Sequence, residues 1–288
     1  MNGVATQRSQ ASPTRASTMG AGVVSYLNTL PLIDGLERLD SLALSHSVPS
    51  LLVDMLLAGE VDVALCSTID FQRSPEPLRI VPAGMLGCRG ATLTVRLFST
   101  TPLERVEAIH ADTDSHTSVA LLEVLLRERF GNAPKIVPFD ARAQVAGNHV
   151  TEHPEAMLLI GDKVVSQSPA AVRYPFQLDL GAAWYELTRL PFVFAVWMCR
   201  ADSDRGPIAE IAAILDRQRR HNRERIDGII WRHAESRGWP RDLAARYLKE
   251  CLRFDFDGEA TTALDLFYDK CQSFGLIAER RPLDVLSF

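Results

Sequence analysis

Cysteine is scarce in this chain, and its spacing fits neither disulfide pairing nor a zinc site. The 288 residues include five cysteines, an odd number, and no C-x-x-C sequence occurs. This excludes a disulfide framework and the common structural zinc sites, and it favours a reducing compartment. The five are Cys66, Cys88, Cys199, Cys251 and Cys271.

Long apolar runs and an excess of positive charge are also absent. No stretch reaches the roughly 18 apolar residues that a membrane span requires. The formal net charge is −5, so bulk charge does not favour nucleic acid or an anionic membrane as a partner. Residues 1–19 are rich in Ser, Thr and Ala and lack the apolar segment of a secretory signal. We therefore expect a disordered tail and a cytoplasmic protein.

The sequence does contain an alternation of strand and helix patterns that occurs twice. Short apolar runs are separated by amphipathic segments with cap signals, and from residue 207 onward the pattern is helical. Such alternation predicts α/β units, each built on a mainly parallel sheet. The strands predicted most clearly are 22–26, 42–48, 61–65, 106–111, 135–139 and 156–160.

These units predict two lobes. Lobe 1 comprises residues 20–98 and 195–288, with the helical C-terminal part packed on it, and lobe 2 comprises residues 99–194. The runs at 91–98 and 192–199 are the predicted crossings between the lobes. Two crossings form a hinge, and a cleft between hinged lobes can enclose a small ligand.

Two loops at predicted strand ends carry side chains suited to a small anion. Residues 25–31 (SYLNTLP) follow the first strand, and Asn28 can both donate and accept hydrogen bonds. Residues 112–118 (DTDSHTS) precede a helix, where hydroxyls, free N–H groups and the helix dipole favour an anion. Either loop could equally be an ordinary helix cap, since Ser, Thr and Asn are preferred there.

Two further positions could face the same cleft. Asp162 follows Gly161 at the end of a predicted strand, where it could orient a loop or line the cleft. Arg89 lies in a polar turn before the first crossing. It could pair with a carboxylate through two hydrogen bonds or simply be an exposed turn residue.

Three other patterns favour ordinary structural roles. The Asp-Ser-His run at 114–116 is not a catalytic triad, because adjacent side chains point apart and no G-x-S-x-G sequence is present. His149 and His153 do not form H-E-x-x-H, so we interpret them as part of a surface loop. The basic stretch at 217–225 is typical of a solvated helix face.

Five segments in one order resemble the chorismate dehydratase family of the futalosine route to menaquinone. They are SYLNTLPL at 25–32, GEVDVAL at 59–65, SHTS at 115–118, LIGD at 159–162 and LPFVFAVW at 190–197. The resemblance implies the two-lobed fold of the type II periplasmic-binding class. It also implies elimination of water from chorismate to give 3-[(1-carboxyvinyl)oxy]benzoate, with no cofactor and no metal.

The resemblance implies that Asn28 and Ser115 are catalytic. The chain differs from the usual family pattern at three positions. His116 stands where Arg is common, Thr94 where Ser is usual, and Arg189 where Gly is usual. The residues expected to bind the substrate are Ser25, Tyr26, Arg89, Thr94, His116, Thr117, Ser118, Gly161 and Asp162.

The matched loops hold no Glu or Lys that could act as a base. Our hypothesis is that the enolpyruvyl carboxylate of the substrate takes the proton.

Three alternatives to the chorismate dehydratase function share the fold. They are the dihydroxynaphthoate-forming enzyme of the same pathway, a non-catalytic binding protein for a small carboxylate, and the sensing domain of a regulator. The first has a Cys-Pro-Asn-Asp-like turn where this chain has residues 25–29, and no helix-turn-helix segment supports the third. The sequence does not specify an oligomeric state.

Overall fold

The structure is a computed structural model that describes residues 18–140 and 154–288. Most of the predicted tail, and both His149 and His153, lie outside these ranges. Eleven strands in the described ranges form two sheets. They are β1 Met19–Val24, β2 Leu42–Ser47, β3 Val63–Ser67, β4 Leu78–Cys88, β5 Val95–Ser99, β6 Ala108–Asp112, β7 Lys135–Phe139, β8 Ala156–Ile160, β9 Phe176–Asp179, β10 Phe192–Arg200 and β11 Leu252–Arg253.

The first sheet has six strands in the order β11-β4-β10-β3-β1-β2. β1 pairs in parallel with β2 and β3, whereas β10 is antiparallel to β3 and β4. β3 and β10 are covered on both faces, which explains why each is a nearly continuous apolar run. The second sheet has five strands in the order β7-β6-β8-β5-β9, with β6 parallel to β7 and β8.

Helices cover both sheets, and none in the described ranges is long and apolar enough to span a membrane. A π-helical turn, Tyr247–Cys251, directly follows the helix Arg241–Arg246. The helices are α1 Leu30–Ile33, α2 Leu52–Leu57, α3 Asp70–Arg73, α4 His116–Phe130, α5 Lys163–Ser166, α6 Leu180–Thr188, α7 Arg205–Glu224, α8 Ile226–His233, α9 Arg241–Arg246 and α10 Gly258–Ser273.

Local sequence explains where two of these helices end. Asn28 and Thr29 as an N-cap and Pro31 in the first turn predict a helix that runs to about Leu39. This helix is interrupted, because Gly35 takes a left-handed φ of 92° and only a 3₁₀ turn follows it. Apolar spacing predicts a helix over 119–130 with Gly131 as its C-cap. α4 is confirmed to end at Gly131, which has a φ of 62°. It begins earlier than predicted, because the Ser115 side chain caps it by accepting from the N–H of Ser118.

The C-terminal helices pack mainly on the first sheet. α7 places Ile208, Ile211 and Leu215 in the same apolar cluster as Val23 and Trp197 of the sheet. α10 contacts β10 and also α4, which belongs to the second lobe. The C-terminal part therefore supports the first sheet and also reaches across to the other lobe.

The chain crosses between the sheets twice, at 89–94 and 189–191, where β4 leads to β5 and α6 leads to β10. The predicted boundary at residue 98 therefore falls inside β5, which pairs wholly within the second sheet. The other crossing lies before β10 rather than within it, since β10 pairs with β3 and β4 along its length.

The start of α4 is held against the loops of the first sheet. Thr117 Oγ1 accepts from the N–H of Ile69 at 3.3 Å, and the N–H of Ser50 donates to the carbonyl of Asp114 at 3.1 Å. The imidazole of His116 lies 2.8 Å from the carboxylate of Asp70. This group of contacts joins the two lobes beside the helix N-terminus.

Arg189 occupies a position that favours glycine. It ends α6 with a φ of 62°, in the left-handed region that costs a residue with a β-carbon about 1 kcal/mol or more.

We expect the free energy of unfolding, measured by urea denaturation, to be about 1 kcal/mol higher for Arg189→Gly than for Arg189→Ala. Both variants lose the guanidinium, so their difference isolates the β-carbon. Equal stability of the two variants would contradict this explanation.

The His116–Asp70 pair generates a pH-dependent prediction. A hydrogen bond and charge attraction from Asp70 raise the pKa of His116 above 6.5, against an opposing effect of burial. The pair therefore stabilises the folded state fully below pH 6.5, and this contribution is lost as pH rises through the raised pKa. We expect NMR titration of His116 to give a midpoint above 6.5 that falls in Asp70→Asn. A wild-type midpoint at or below 6.5 would be inconsistent with the contact.

Candidate functional site

A narrow cavity lies between the two sheets, where β1, β3 and β8 end and β5 begins. The volume of the cavity is about 50 Å³, which is room for a few waters. Within the described ranges, none of its lining residues is an acid, a basic residue or a histidine. They are Val24, Tyr26, Asn28, Thr29, Pro49, Leu65, Ser67, Leu86, Thr92, Thr94, Val95, Ser115, Ser118, Ile160, Gly161, Phe194, Ala195, Tyr247 and Leu252.

The loop after β1 brings Asn28 to the cavity wall. Thr29 fixes the loop by donating from its hydroxyl to the carbonyls of Val24 and Tyr26, at 2.7 and 2.8 Å. Asn28 is only 8% exposed, and its Nδ2 donates to the hydroxyl of Tyr247 at 3.2 Å. Its Oδ1 is buried and accepts no hydrogen bond from the described residues. An acceptor in this state is available to a ligand.

Asp162 ties this loop to the second lobe. Its carboxylate accepts from the N–H of Leu27 at 3.1 Å and from the indole N–H of Trp239 at 3.0 Å. Burial raises the pKa of the carboxyl, and these two donors act in the opposite direction. Asp162 does not line the cavity, so the structure gives it a role in positioning the loop.

Gly161 sits directly below the ring of Tyr26. Its φ is 69°, and a β-carbon there would meet ring atoms of Tyr26 at 3.0 Å. The position therefore requires glycine both for its backbone and for the close approach of the two lobes. The hydroxyl of Tyr26 donates to Asp114 at 2.8 Å, which makes a second contact across the cleft.

The start of α4 supplies neutral donors on the opposite wall. The hydroxyls of Ser115 and Ser118 lie 3.0 Å apart, and both residues line the cavity. The helix is 15 residues long, so its dipole and free N–H groups favour an anion at this end. Serine hydroxyls and a helix start can hold a carboxylate without a cation.

The alternation of Thr92, Thr94 and Arg96 with apolar residues predicts a polar strand face. In the structure, Thr94 reaches the cavity from a tight turn instead. Its N–H donates to the carbonyl of Thr92 at 2.7 Å, which closes a three-residue turn around Leu93. Leu93 has a φ of 59°, a strained conformation for a leucine. The Asp179 carboxylate holds it by accepting from the N–H groups of Thr92 and Leu93, at 3.0 and 2.8 Å.

Tyr247 joins Thr94 to Asn28, and the sequence analysis did not identify it. Its hydroxyl lies 2.6 Å from Thr94 Oγ1, and its ring stacks on Trp239 at 4.9 Å between ring centres. Burial raises the pKa of this phenol well above its usual range, so it remains neutral. The resemblance covers only about residues 20–200, so no motif pointed to either aromatic residue.

Five of the predicted substrate-binding residues lie outside the cavity, and one of them is Asp162, described above. Ser25 is exposed and lies 3.1 Å from His46, and Arg89 is exposed and pairs with Glu259. Thr117 is buried in the contact between the lobes, and His116 is directed to Asp70. The structure thus brings together Asn28, Tyr26, Thr94, Ser115, Ser118 and Gly161.

Charged groups lie behind the cavity wall. The Lys163 ammonium is buried between Asp112 and Asp114, at 2.6 and 2.7 Å. Asp114 also receives the hydroxyl of Tyr26. Within the described ranges, no group of three or more His, Cys, Asp or Glu residues could hold a metal ion.

Comparisons with known proteins show the family to which the chain belongs. A family model described as menaquinone biosynthesis matches residues 19–273. The chorismate dehydratase of Thermus thermophilus is 31% identical over 212 residues, which cover 69% of this chain and 75% of that protein.

Solved structures share the fold at lower identity. Protein AF1704 from Archaeoglobus fulgidus superposes with a TM-score of 0.68 at 18% identity, covering 90% of this chain and 98% of that one. CA3427 from Candida albicans, described as having the generic periplasmic-binding-protein fold, gives 0.60 at 13% identity, covering 92% of each chain. The chain belongs to the menaquinone biosynthesis family and has the periplasmic-binding-protein fold.

Proposed function

We propose that this protein dehydrates chorismate to 3-[(1-carboxyvinyl)oxy]benzoate as a step of menaquinone biosynthesis. The observation that carries the proposal is the chemistry of the cavity wall. In the described ranges the wall offers hydroxyls, an amide and a helix N-terminus, but no acid, amine or imidazole. Such a wall can bind and orient a dicarboxylate, and it leaves the proton transfer to the substrate.

One carboxylate of chorismate has a natural place at the start of α4. There Ser115 and Ser118 line the cavity at the first turn of the helix. Asn28 lines the same cavity from the first lobe, where it would meet the ring. We assign Ser115 to holding a carboxylate and Asn28 to orienting the ring hydroxyl that leaves.

The proton then moves within the substrate. The enolpyruvyl carboxylate takes the proton from the ether-bearing ring carbon, and the electron pair of that C–H bond forms the new ring double bond. The C–O bond to the ring hydroxyl breaks, and the departing oxygen recovers the proton from the carboxylic acid and leaves as water. The ring becomes aromatic, which supplies the driving force. By this reaction the enzyme is a hydro-lyase.

Enclosure supports the same reaction. The closed cavity has room for only a few waters, so the lobes must part to admit a six-membered ring. When they close again, Tyr26 and Asp162 rejoin the two walls around the substrate. Closure excludes bulk water and fixes the reactive conformer, an effect that contributes several kcal/mol in enzymes of this kind.

We place the enzyme in the cytoplasm. All five cysteines are buried and free, which fits a reducing compartment.

The direct test is incubation with chorismate and chromatography for the aromatic enol ether. We expect product with the wild-type protein, and a fall of about 100-fold or more in kcat/KM for Asn28→Ala and for Ser115→Ala. Asn132→Ala is the matched control, since that amide binds the carbonyls of Leu103 and Val106 away from the cavity.

Two outcomes would contradict the proposal. Near-normal turnover by both cavity variants would remove the roles of Asn28 and Ser115. Chorismate that binds the folded wild-type protein and is recovered unchanged would instead identify a non-catalytic binding protein.

A further inference from the structure

The hydroxyl of Tyr247 lies in a hydrogen-bonded chain, and the direction of that chain depends on where the Thr94 hydroxyl proton goes. Thr94 Oγ1 is 3.4 Å from the carbonyl of Thr92, which can only accept. With the Thr94 proton directed to that carbonyl, Tyr247 donates its own proton to Thr94 across 2.6 Å. The Tyr247 oxygen is then left to accept, and it does so from Asn28 Nδ2 at 3.2 Å.

This direction fixes which end of the Asn28 amide meets Tyr247. If the amide were rotated by half a turn, Oδ1 would face an oxygen whose proton is already donated elsewhere, and two acceptors would meet in a buried place. The Nδ2 of Asn28 therefore faces Tyr247 and donates to its hydroxyl oxygen. The Oδ1 of Asn28, which is buried and without a partner among the described residues, is left for the ligand.

Chorismate can satisfy this acceptor in only one way. At neutral pH both carboxylates are ionised and accept hydrogen bonds, and the ether oxygen also accepts. The ring hydroxyl is the one donor that the molecule has, and it is the group that leaves.

From this chain, and resting on the function proposed above, we propose that Tyr247 is a positioning residue that locks Asn28 with Oδ1 toward the ring hydroxyl of the substrate. With its proton held by Asn28, the hydroxyl turns its lone pairs away from that wall and can receive the proton that completes water. Tyr247 itself contacts no reacting atom in this arrangement. The rigid support of its ring by Trp239 keeps the chain in place.

The test compares two ligands that cannot react. One is the aromatic product, and the other is the same molecule with a hydroxyl on the ring carbon from which water is lost. Calorimetry on the full-length wild-type protein is expected to show about fivefold to tenfold tighter binding of the hydroxylated ligand, the usual net effect of one hydrogen bond. In Tyr247→Phe this preference disappears, because the freed amide can turn its N–H groups to the ligand.

Turnover gives a second readout. Tyr247→Phe is expected to lower kcat for chorismate by about tenfold to 100-fold with a smaller change in KM, since the carboxylate contacts remain. Tyr174→Phe is the matched control, because Tyr174 is equally buried and donates to the carbonyl of Pro154 away from the cavity. Thr94→Val breaks the same chain one link further on and should also abolish the preference, should Tyr247→Phe fold poorly.

The outcomes separate this inference from the proposed function. A purely structural role for Tyr247 predicts equal weakening of both ligands, and retained preference in Tyr247→Phe and Thr94→Val overturns the inference while wild-type turnover stands. A wild-type protein that converts no chorismate and does not distinguish the two ligands overturns both.

Discussion

The carboxylate of Asp162 joins three parts of the chain that are distant in sequence. It belongs to the second lobe, yet it accepts from Leu27 in the loop after β1 and from Trp239 in the C-terminal helical part. Burying a carboxylate costs free energy unless it accepts hydrogen bonds. Asp162 therefore requires the two donors, and the two segments are held in place by donating to Asp162. The position of Asn28 follows, because it is the next residue after Leu27. The position of Tyr247 follows too, because its ring stacks on Trp239.

The charged side chains near this site do not line the cavity, within the described ranges, but contact the residues and loops that do. Lys163 is paired between Asp112 and Asp114, and Asp179 is used in holding the turn at Leu93. These groups fix loops and side chains, and they present no base or cation to the cavity. Neutral donors suit a substrate that brings its own carboxylates, since an ionised side chain at the wall would compete with the internal proton transfer.

Sequence reasoning succeeded where the determining interaction is local. β7 and β8 were predicted with the bounds that the structure shows, because each is a short apolar run between polar breaks. The end of α4 at Gly131 was equally visible, since a glycine after an apolar period is a common helix end. The resemblance added the order of the loops, and through it the expectation that Asn28 and Ser115 share a site.

The sequence does not predict the contacts that depend on residues distant along the chain. Tyr247 is 219 residues from Asn28 and 153 from Thr94, so no spacing rule could connect them. Thr94 alternates with apolar neighbours as a strand residue would, but Asp179 holds the preceding residues in a strained turn. For His116, the sequence specified a place at the start of α4 but not the direction of the side chain, which Asp70 on the other lobe decides.

The contacts that close the cleft must also be able to open. A cavity with room for a few waters cannot admit chorismate without separating Tyr26 from Asp114 and Leu27 from Asp162. Single hydrogen bonds contribute only about 1 kcal/mol net, because water replaces them when they break. The contacts beside the cavity are single bonds of this size, and a ligand that contacts both walls shifts the population to the closed form.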